Sequence, residues 1–508
     1  MKHAFSLQKD HRPDDQKKAK ESWIKHRHEV VYFFGRPVIR LLCWLLYRIK
    51  VDRLPSDRSY LILFNHQTPF DQFFPVLSYK KPIYFITSED IMSNGWISRL
   101  LTFLVAPIPI KKQVTDLRAV LNAMKVAKEG GTIALAPEGN RTYAGRTVAI
   151  NPAIAKLAKK LGLPIVLYRL EGGYGLHPRW SDVRRKALLR PHMEARVVRV
   201  IEPKEAKAMS DADMLEAIQD GLFQDDQVYV QNNGQRYDHP KAAEYVERLL
   251  YVCPRCGLSA FRSRGKAFRC LHCGSIWRME PDLSISLTRA ERNGSRRRMA
   301  APGLAVPGQN TGSSEREDTL YFPLPDNIAD WFEAQQNFIR HLDLESLAKD
   351  QPLYEDKADL FEVILYDKKV PLCSQANIRL YPDRIEICQG MENAAGKLEG
   401  SSVSGSGSAH GIQPTDATPY TAATGVQSTD AALSADAPKN QLSAPIILPF
   451  TELTAASVLG RNKLNLYTKD KIYQLKGSKR FNAVKYVNLF FHAKNQKTGE
   501  DHEQFLGL

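Results

Sequence analysis

Residues 60–71 read YLILFNHQTPFD. Five consecutive large residues, mostly aliphatic, followed by a polar turn predict a short strand buried on both faces. Asn65 and His66 leave the end of that strand, and Pro69 turns the chain so that Asp71 can come back toward His66. A carboxylate beside an imidazole can bond one ring nitrogen, fix the tautomer and leave the other nitrogen to take a proton. Alone, such a pair reads more readily as a structural turn than as a catalytic device.

The pattern continues on either side. KPIYFIT (81–87), TIALA (132–136) and PIVLY (164–168) are further short apolar runs suited to buried strands. Between them Leu117, Val120, Leu121 and Met124 follow helical spacing with Gly130 as a stop, and NPAIAKLAKKLG (151–162) reads as a second helix. Strand and helix alternate, so residues 51–235 are read as an α/β domain. After TIALA comes Pro137-Glu138-Gly139-Asn140-Arg141-Thr142, a turn in which Arg141 can grip an anionic group through paired N–H bonds. Ile108-Pro109-Ile110-Lys111-Lys112 sets two cations after another apolar segment.

In this order the blocks NHQTPFD, IPIKK, APEGNRT and LPIVLY, spanning 65–168, resemble those of the glycerolipid acyltransferases typified by 1-acylglycerol-3-phosphate acyltransferase. The resemblance implies His66 as general base on an acceptor hydroxyl, Asp71 orienting it, and acyl-CoA or acyl-carrier protein as donor. It implies a substrate-binding set of Asn65, Lys111, Lys112, Glu138, Gly139, Arg141 and Thr142, with Arg141 and Lys112 on the phosphate of a lysophospholipid acceptor. Three positions depart from the pattern: Lys112 stands for Arg, Asn140 for Thr, and Leu167 for the second Pro of the fourth block. A lysine keeps the charge but loses the bidentate geometry. The segment GGYGLHPRWSDVRRK (172–186) receives no role from the sequence.

With 508 residues the chain predicts about three domains. Mean hydropathy of −0.36 excludes a polytopic membrane protein, and no charge-free apolar run reaches the length of a clean membrane span. Residues 1–27, with eight Lys/Arg, read as a basic tail rather than a secretory signal. The net charge of +15 is uneven: residues 1–60 carry 14 basic against 7 acidic groups, and residues 251–318 carry 12 against 6. Such patches point to polyanions, either anionic lipid or nucleic acid. Placed on a helix, residues 28–50 put Arg36, Arg40, Cys43, Tyr47 and Lys50 in an arc of about 80°, with Leu41, Leu42, Trp44, Leu45 and Leu46 on the wider face. That predicts an interfacial membrane helix with snorkelling arginines, core packing being the alternative. The expected location is peripheral, on the cytoplasmic face of the cell membrane, against anionic lipid. WISRLLTFLV (96–105) suits either an acyl-chain groove or a core.

Seven cysteines include the pairs Cys253-Pro-Arg-Cys256 and Cys270-Leu-His-Cys273. Two CxxC knuckles at this spacing predict a closed structural Zn²⁺ site, a zinc ribbon over 251–280, with Gly257 and Gly274 supplying positive φ after each knuckle. Nucleic-acid binding by its arginines is the less favoured reading. Residues 281–318 read as a linker, and residues 319–508 as a β-rich domain with a disordered insertion at 391–443. The order of its strands, followed by one helix, resembles a pleckstrin-homology or GRAM-like barrel and implies lipid or protein binding.

Overall fold

The structure is a computed structural model describing residues 22–88, 92, 96–110, 116–289, 320–364, 368–389 and 444–498. The basic tail up to residue 21, Lys111 and Lys112, most of the expected linker (290–318) and the expected insertion (391–443) lie outside the described residues.

The apolar run before His66 forms β2 (Leu61–Phe64), at the middle of a seven-stranded sheet. The other strands are β1 (Lys50–Val51), β3 (Ile83–Ser88), β4 (Ile108–Ile110), β5 (Thr132–Leu135), β6 (Ile165–Glu171) and β8 (Glu194–Ile201). Their order is β1-β8-β6-β2-β5-β3-β4. β6, β2, β5, β3 and β4 run parallel, while β8 is antiparallel to β6. Side chains of β2 alternate between two cores: Ile62 and Phe64 join one, Leu61 and Leu63 the other. This is why the run carries no polar residue. A short pair, β7 (Lys186–Ala187) with β9 (Tyr237–Asp238), stands beside the sheet.

Helix α1 (His26–Tyr47) packs against α2 (Phe73–Ser78) and α3 (Trp96–Val105). The sequence placed Arg36 on a stripe facing the membrane interface, and the structure corrects this. Arg36 donates from Nε to Val76 O at 3.0 Å and from Nη2 to Leu77 O at 2.8 Å, where α2 ends in unpaired carbonyls. Cys43 and Tyr47, of the same arc, are buried, whereas Phe33, Phe34, Val38, Leu41, Leu42, Trp44 and Leu45 are exposed. The wide apolar face is therefore the uncovered one. α3 continues it with Trp96, Ile97, Leu100 and Phe103, and buries only Ser98, so the core reading of 96–105 fails. By length and composition α1 could cross a membrane.

The cysteine module comprises β10 (Val252–Cys253), β11 (Gly257–Leu258) and an antiparallel sheet of β12 (Phe261–Arg264), β13 (Ala267–Cys270), β14 (Ile276–Met279) and β15 (Ile285–Arg289). β15 lies within the expected linker, which therefore begins after 289. The last unit is an antiparallel sheet of β16 (Tyr354–Val363), β17 (Lys369–Leu380), β18 (Arg384–Cys388), β19 (Ile446–Pro449), β20 (Ala455–Leu459), β21 (Lys463–Tyr467) and β22 (Ile472–Gly477), ordered β19-β18-β17-β16-β22-β21-β20. The helix Val484–Thr498 follows, and a helix at Ile328–Arg340, absent from the sequence reading, precedes the sheet. Val484 through Ala493 are buried all round, so this helix is enclosed rather than laid on a surface. One apolar core runs from Tyr47 and Tyr168 through Phe268 and Trp277 to Trp331, Leu360 and Phe490. The three units are joined by it rather than strung as separate domains.

Candidate active site

β2 and β5 are adjacent and parallel, in register Leu61↔Ile133 to Leu63↔Leu135. The turns that follow them therefore emerge side by side at the carboxyl end of the sheet, where open α/β sheets hold ligands. The first turn carries His66 and Asp71, the second Glu138 to Thr142.

His66 Nδ1 and Asp71 Oδ2 are 2.7 Å apart. Asp71 is fully buried and also accepts from Gln67 N at 2.5 Å and Thr68 N at 2.8 Å on Oδ2, and from Thr68 Oγ1 at 2.5 Å on Oδ1. The carboxylate is thus held as an acceptor, which makes Nδ1 the protonated nitrogen and leaves Nε2 as the base. Burial pulls the His66 pKa below its usual 6.5, outweighing the contrary pull of Asp71. The imidazole is neutral at pH 7 although its side chain is still 25% exposed.

The backbone of His66 is gripped by the second turn. Its N–H donates to Glu138 Oε1 at 2.7 Å, and its carbonyl accepts from Thr142 N at 2.8 Å. Glu138 Oε2 accepts from Val148 N at 3.1 Å, and burial pushes this carboxyl up to about 8. Gly139 takes φ +69, which the turn needs. Thr142 Oγ1 donates to Arg146 O at 2.6 Å and accepts from Gly145 N at 3.0 Å, so its hydroxyl is committed to the turn. Asn65 bonds the backbone of Leu170 on β6 twice, at 2.6 and 2.9 Å. Glu138, Thr142 and Asn65 therefore position His66 through the backbone.

Arg141 donates from Nε to Gln67 O at 3.2 Å and from Nη2 to His177 O at 2.9 Å. Burial lowers its pKa to about 10, which leaves it charged. Arg179 is buried; it donates to Arg141 O at 2.9 Å and to Val458 O of β20 at 3.1 Å, with its guanidinium 3.9 Å from the Tyr143 ring centroid. Neither arginine has a carboxylate at ion-pair distance among the described residues. Arg461, from the turn between β20 and β21, lies 3.1 Å from His177 Nε2 and pairs with Asp182 at 3.0 Å. The last unit thus closes one wall of an electropositive site.

The sequence reading missed Gln67, Asp226 and the glycines of 172–175. Gly173 N donates to Gln67 Oε1 at 2.8 Å; Gly172 N and Gly175 N donate to buried Asp226, which also accepts from Gln67 Nε2 at 2.7 Å. A Cβ at Gly173 would lie 2.7 Å from Gln67 Oε1, and one at Gly175 would lie 2.1 Å from the Tyr237 ring. This close approach gives the segment a role: it braces the His66 turn from behind.

The four thiols also converge. The Sγ atoms of Cys253, Cys256, Cys270 and Cys273 all lie within 4.8 Å of one another, with Cys253–Cys273 at 3.7 Å and Cys256–Cys270 at 3.5 Å. A tetrahedron of Zn–S bonds has edges of about 3.8 Å, so the set fits. Gly257 and Gly274 take φ +74 and +75, and Arg255 N and Cys273 N each bond a cysteine sulfur at 3.4 Å. His272 is exposed and outside the set.

Residues 48–168 match the family model described as "Acyltransferase". A curated relative, 1-acyl-sn-glycerol-3-phosphate acyltransferase of Borreliella burgdorferi, is 24% identical over 146 residues. The match takes in 27% of this chain and spans 58% of that relative's length. A solved structure, the 1-acyl-sn-glycerophosphate (LPA) acyltransferase PlsC of Thermotoga maritima, aligns at 19% identity and a TM-score of 0.31, covering 44% of this chain and 85% of that one. The stretch that matches the acyltransferase model, residues 48–168, holds His66, Asp71, Glu138 and Arg141.

Proposed function

We propose that the protein moves a fatty acyl group from an acyl thioester, acyl-CoA or acyl-carrier protein, to the hydroxyl of a lysophospholipid. The first acceptor is 1-acyl-sn-glycerol-3-phosphate, giving phosphatidate. The observation that carries this reading is the His66–Asp71 pair, presented at the strand ends beside Arg141, which has no carboxylate at ion-pair distance among the described residues.

His66 Nε2 takes the proton of the acceptor hydroxyl as its oxygen attacks the thioester carbonyl. The tetrahedral species collapses, the C–S bond breaks, and the imidazolium returns the proton to the leaving sulfur. Asp71 stabilises the transient cation. Arg141, with Lys112 and Lys111 beyond the described residues, binds the acceptor phosphate. Glu138, Gly139, Asn65 and Thr142 hold the two turns. The ribbon carries structural Zn²⁺, and the last unit is a PH/GRAM-like module. The exposed faces of α1 and α3 lie on the cytoplasmic leaflet. A different lysolipid acceptor leaves the chemistry unchanged.

The test is thiol release from acyl-CoA and acyl-carrier protein with a panel of lysolipids; no acceptor-dependent release from folded protein would overturn the reading. Two predictions follow from the pair itself. Because protonation removes the base and burial lowers its pKa, kcat/KM should hold down to pH 6.5 and fall only below it. An acid limb with its midpoint above pH 7 would contradict a neutral, buried base. Asp71→Asn puts an amide donor among four donors, so turnover should drop by roughly 10²–10⁴-fold. Unfolding free energy should fall by about 1–3 kcal/mol.

The ribbon's Arg262, Arg264 and Arg269 are exposed on its outer face, which is what a nucleic-acid reading requires. Salt-sensitive binding to DNA or RNA without thioester turnover would favour it.

A further inference from the structure

The segment 172–186 ends in three consecutive cations, Arg184, Arg185 and Lys186, which the chemistry above does not use. With Arg48, Arg190, His192 and His239 they line a cavity of about 410 Å³ that contains no carboxylate among its lining residues. Asp238, whose charge acts on Arg185, is itself paired with Lys266 at 2.6 Å. Arg185 is 98% buried, as its 2% exposure records, and its Nε has no hydrogen-bond partner; the buried His192 Nδ1 has none either. Arg185 Nη2 is satisfied by Ala242 O at 2.9 Å and the guanidinium lies over the Trp180 ring, but leaving its Nε and His192 Nδ1 buried without partners is costly unless a ligand supplies one.

The cavity wall is built rather than incidental. Gln235 is buried and bonds Leu189 N at 3.0 Å, Leu189 O at 3.1 Å and Pro191 O at 3.1 Å; Leu188 N donates to Arg236 O at 2.9 Å. Arg184 Nη1 donates to Leu46 O at the end of α1. Arg48 stacks 3.7 Å over Trp44. At the rim, Leu45 and Leu188 are 51 and 53% exposed, and Leu189, next in the chain, is 48% exposed. Leu45 belongs to the uncovered apolar face of α1, so the cations lie directly beside the surface that would enter a bilayer. That is the depth of lipid phosphates.

We infer that this cavity is a docking site for the phosphate-bearing head group of an anionic membrane phospholipid, separate from the His66 site. It rests on the membrane half of the proposed function and not on acyl transfer. The head group's phosphate meets Arg48, Arg184, Lys186 and Arg190, while its acyl chains run along Leu45, Leu188 and Leu189. The lipid therefore fixes how the chain sits on the leaflet.

The test uses the full chain and sedimentation with vesicles of phosphatidylcholine alone or with about 30 mol% phosphatidylglycerol. Wild type should bind the anionic vesicles at least about tenfold more tightly. Arg48→Glu/Lys186→Glu/Arg190→Glu should lose that gain and keep its binding to neutral vesicles, which reads the apolar face. Lys128→Glu/Lys204→Glu/Lys207→Glu, with the same charge change elsewhere, should retain most of it. Equal loss in both triples would mean diffuse attraction, and an unchanged cavity triple would empty the site of meaning; either overturns the proposal. Lys186→Gln/Arg190→Gln, at exposed positions, repeats the test without reversing charge and should lose part of the gain. Release of wild type by millimolar inorganic phosphate at constant ionic strength would make a soluble anion the ligand and overturn the lipid assignment. Acyl transfer to a dispersed short-chain acceptor, followed in parallel, separates failure here from failure of the catalytic reading.

Discussion

His66→Ala is expected to reduce acceptor-dependent thiol release by roughly 10²–10⁴-fold, the usual worth of a positioned general base. That range corresponds to about 3–5 kcal/mol of transition-state stabilisation. The fold should survive, for reasons visible at the residue. The side chain is 25% exposed and its one hydrogen bond runs to Asp71, which keeps its three other donors. The backbone bonds of His66 to Glu138 and Thr142 do not depend on the ring. Thermal unfolding of the variant should therefore stay close to wild type while turnover collapses. The double variant with Asp71→Asn should be little slower than His66→Ala alone, because residues acting as a unit are not additive. Wild-type turnover by His66→Ala would remove the base from the mechanism. A variant that lost turnover and stability together would say only that the turn had broken, which is why Asp71→Asn, with its distinct stability cost, accompanies it.

The α/β half of this molecule was legible because its elements are local. β2, β5 and β6 are central strands of a parallel sheet, and such strands must be apolar on both faces, so the runs announce themselves. His66 and Asp71 are five residues apart, and Pro69 sets the turn between them. Glu138 and Arg141 follow a strand whose pairing with β2 could be guessed from fold class. What could not be read is what joins distant segments. Asp226 braces the His66 turn through Gln67 and two glycine amides, yet no spacing links residue 226 to residue 67. Arg179 spends its guanidinium on carbonyls of Arg141 and Val458, contacts that only the packing of the last unit creates.

Two misreadings have different causes. The periodicity of α1 correctly separated a cationic arc from an apolar face, but periodicity does not say which face meets protein. Arg36 meets the carbonyl end of α2 instead of snorkelling, whereas the leucines stand exposed, as an interfacial helix requires. The helix Ile328–Arg340 was, by contrast, readable: Asn327 caps it by accepting from Asp330 N, and Ile328, Trp331, Phe332, Gln335 and Ile339 follow helical spacing. The Arg- and Ser-rich stretch before it suggests a linker, and the strands after it suggest a β-rich unit whose one helix comes last. Its Trp331 lies 4.8 Å from Trp277 of the ribbon, centroid to centroid, so the missed helix is the one that ties the two units.

That tie makes the second large effect a matter of stability. The protein should carry one Zn²⁺ per chain, and Cys270→Ser/Cys273→Ser should lose it. A ribbon of fewer than about 40 residues cannot bury enough apolar surface to order itself, and metal binding contributes about 10–16 kcal/mol of apparent free energy in isolated zinc modules. Here the ribbon is not isolated. Phe268 stacks on Trp277, both pack on Trp331, and the same core continues to Phe490 and back to Tyr168. Loss of the metal should therefore lower the unfolding temperature of the whole chain and not merely free one module. It should also loosen the turn after β5, since Arg146, whose carbonyl accepts from Thr142, pairs with Asp330 at 3.1 Å and Glu333 at 2.5 Å, so that acyl transfer falls as a consequence of lost order. A catalytic metal would behave otherwise. Four thiolates leave no open coordination position, so replacing Zn²⁺ by Cd²⁺ should restore folding and leave kcat within about twofold of the zinc protein. Metal analysis by mass spectrometry, a melting curve and turnover on the same preparations decide it. Folded, active protein without bound metal would refute the structural role, and turnover that changed severalfold with the identity of the ion would place the metal in the chemistry instead.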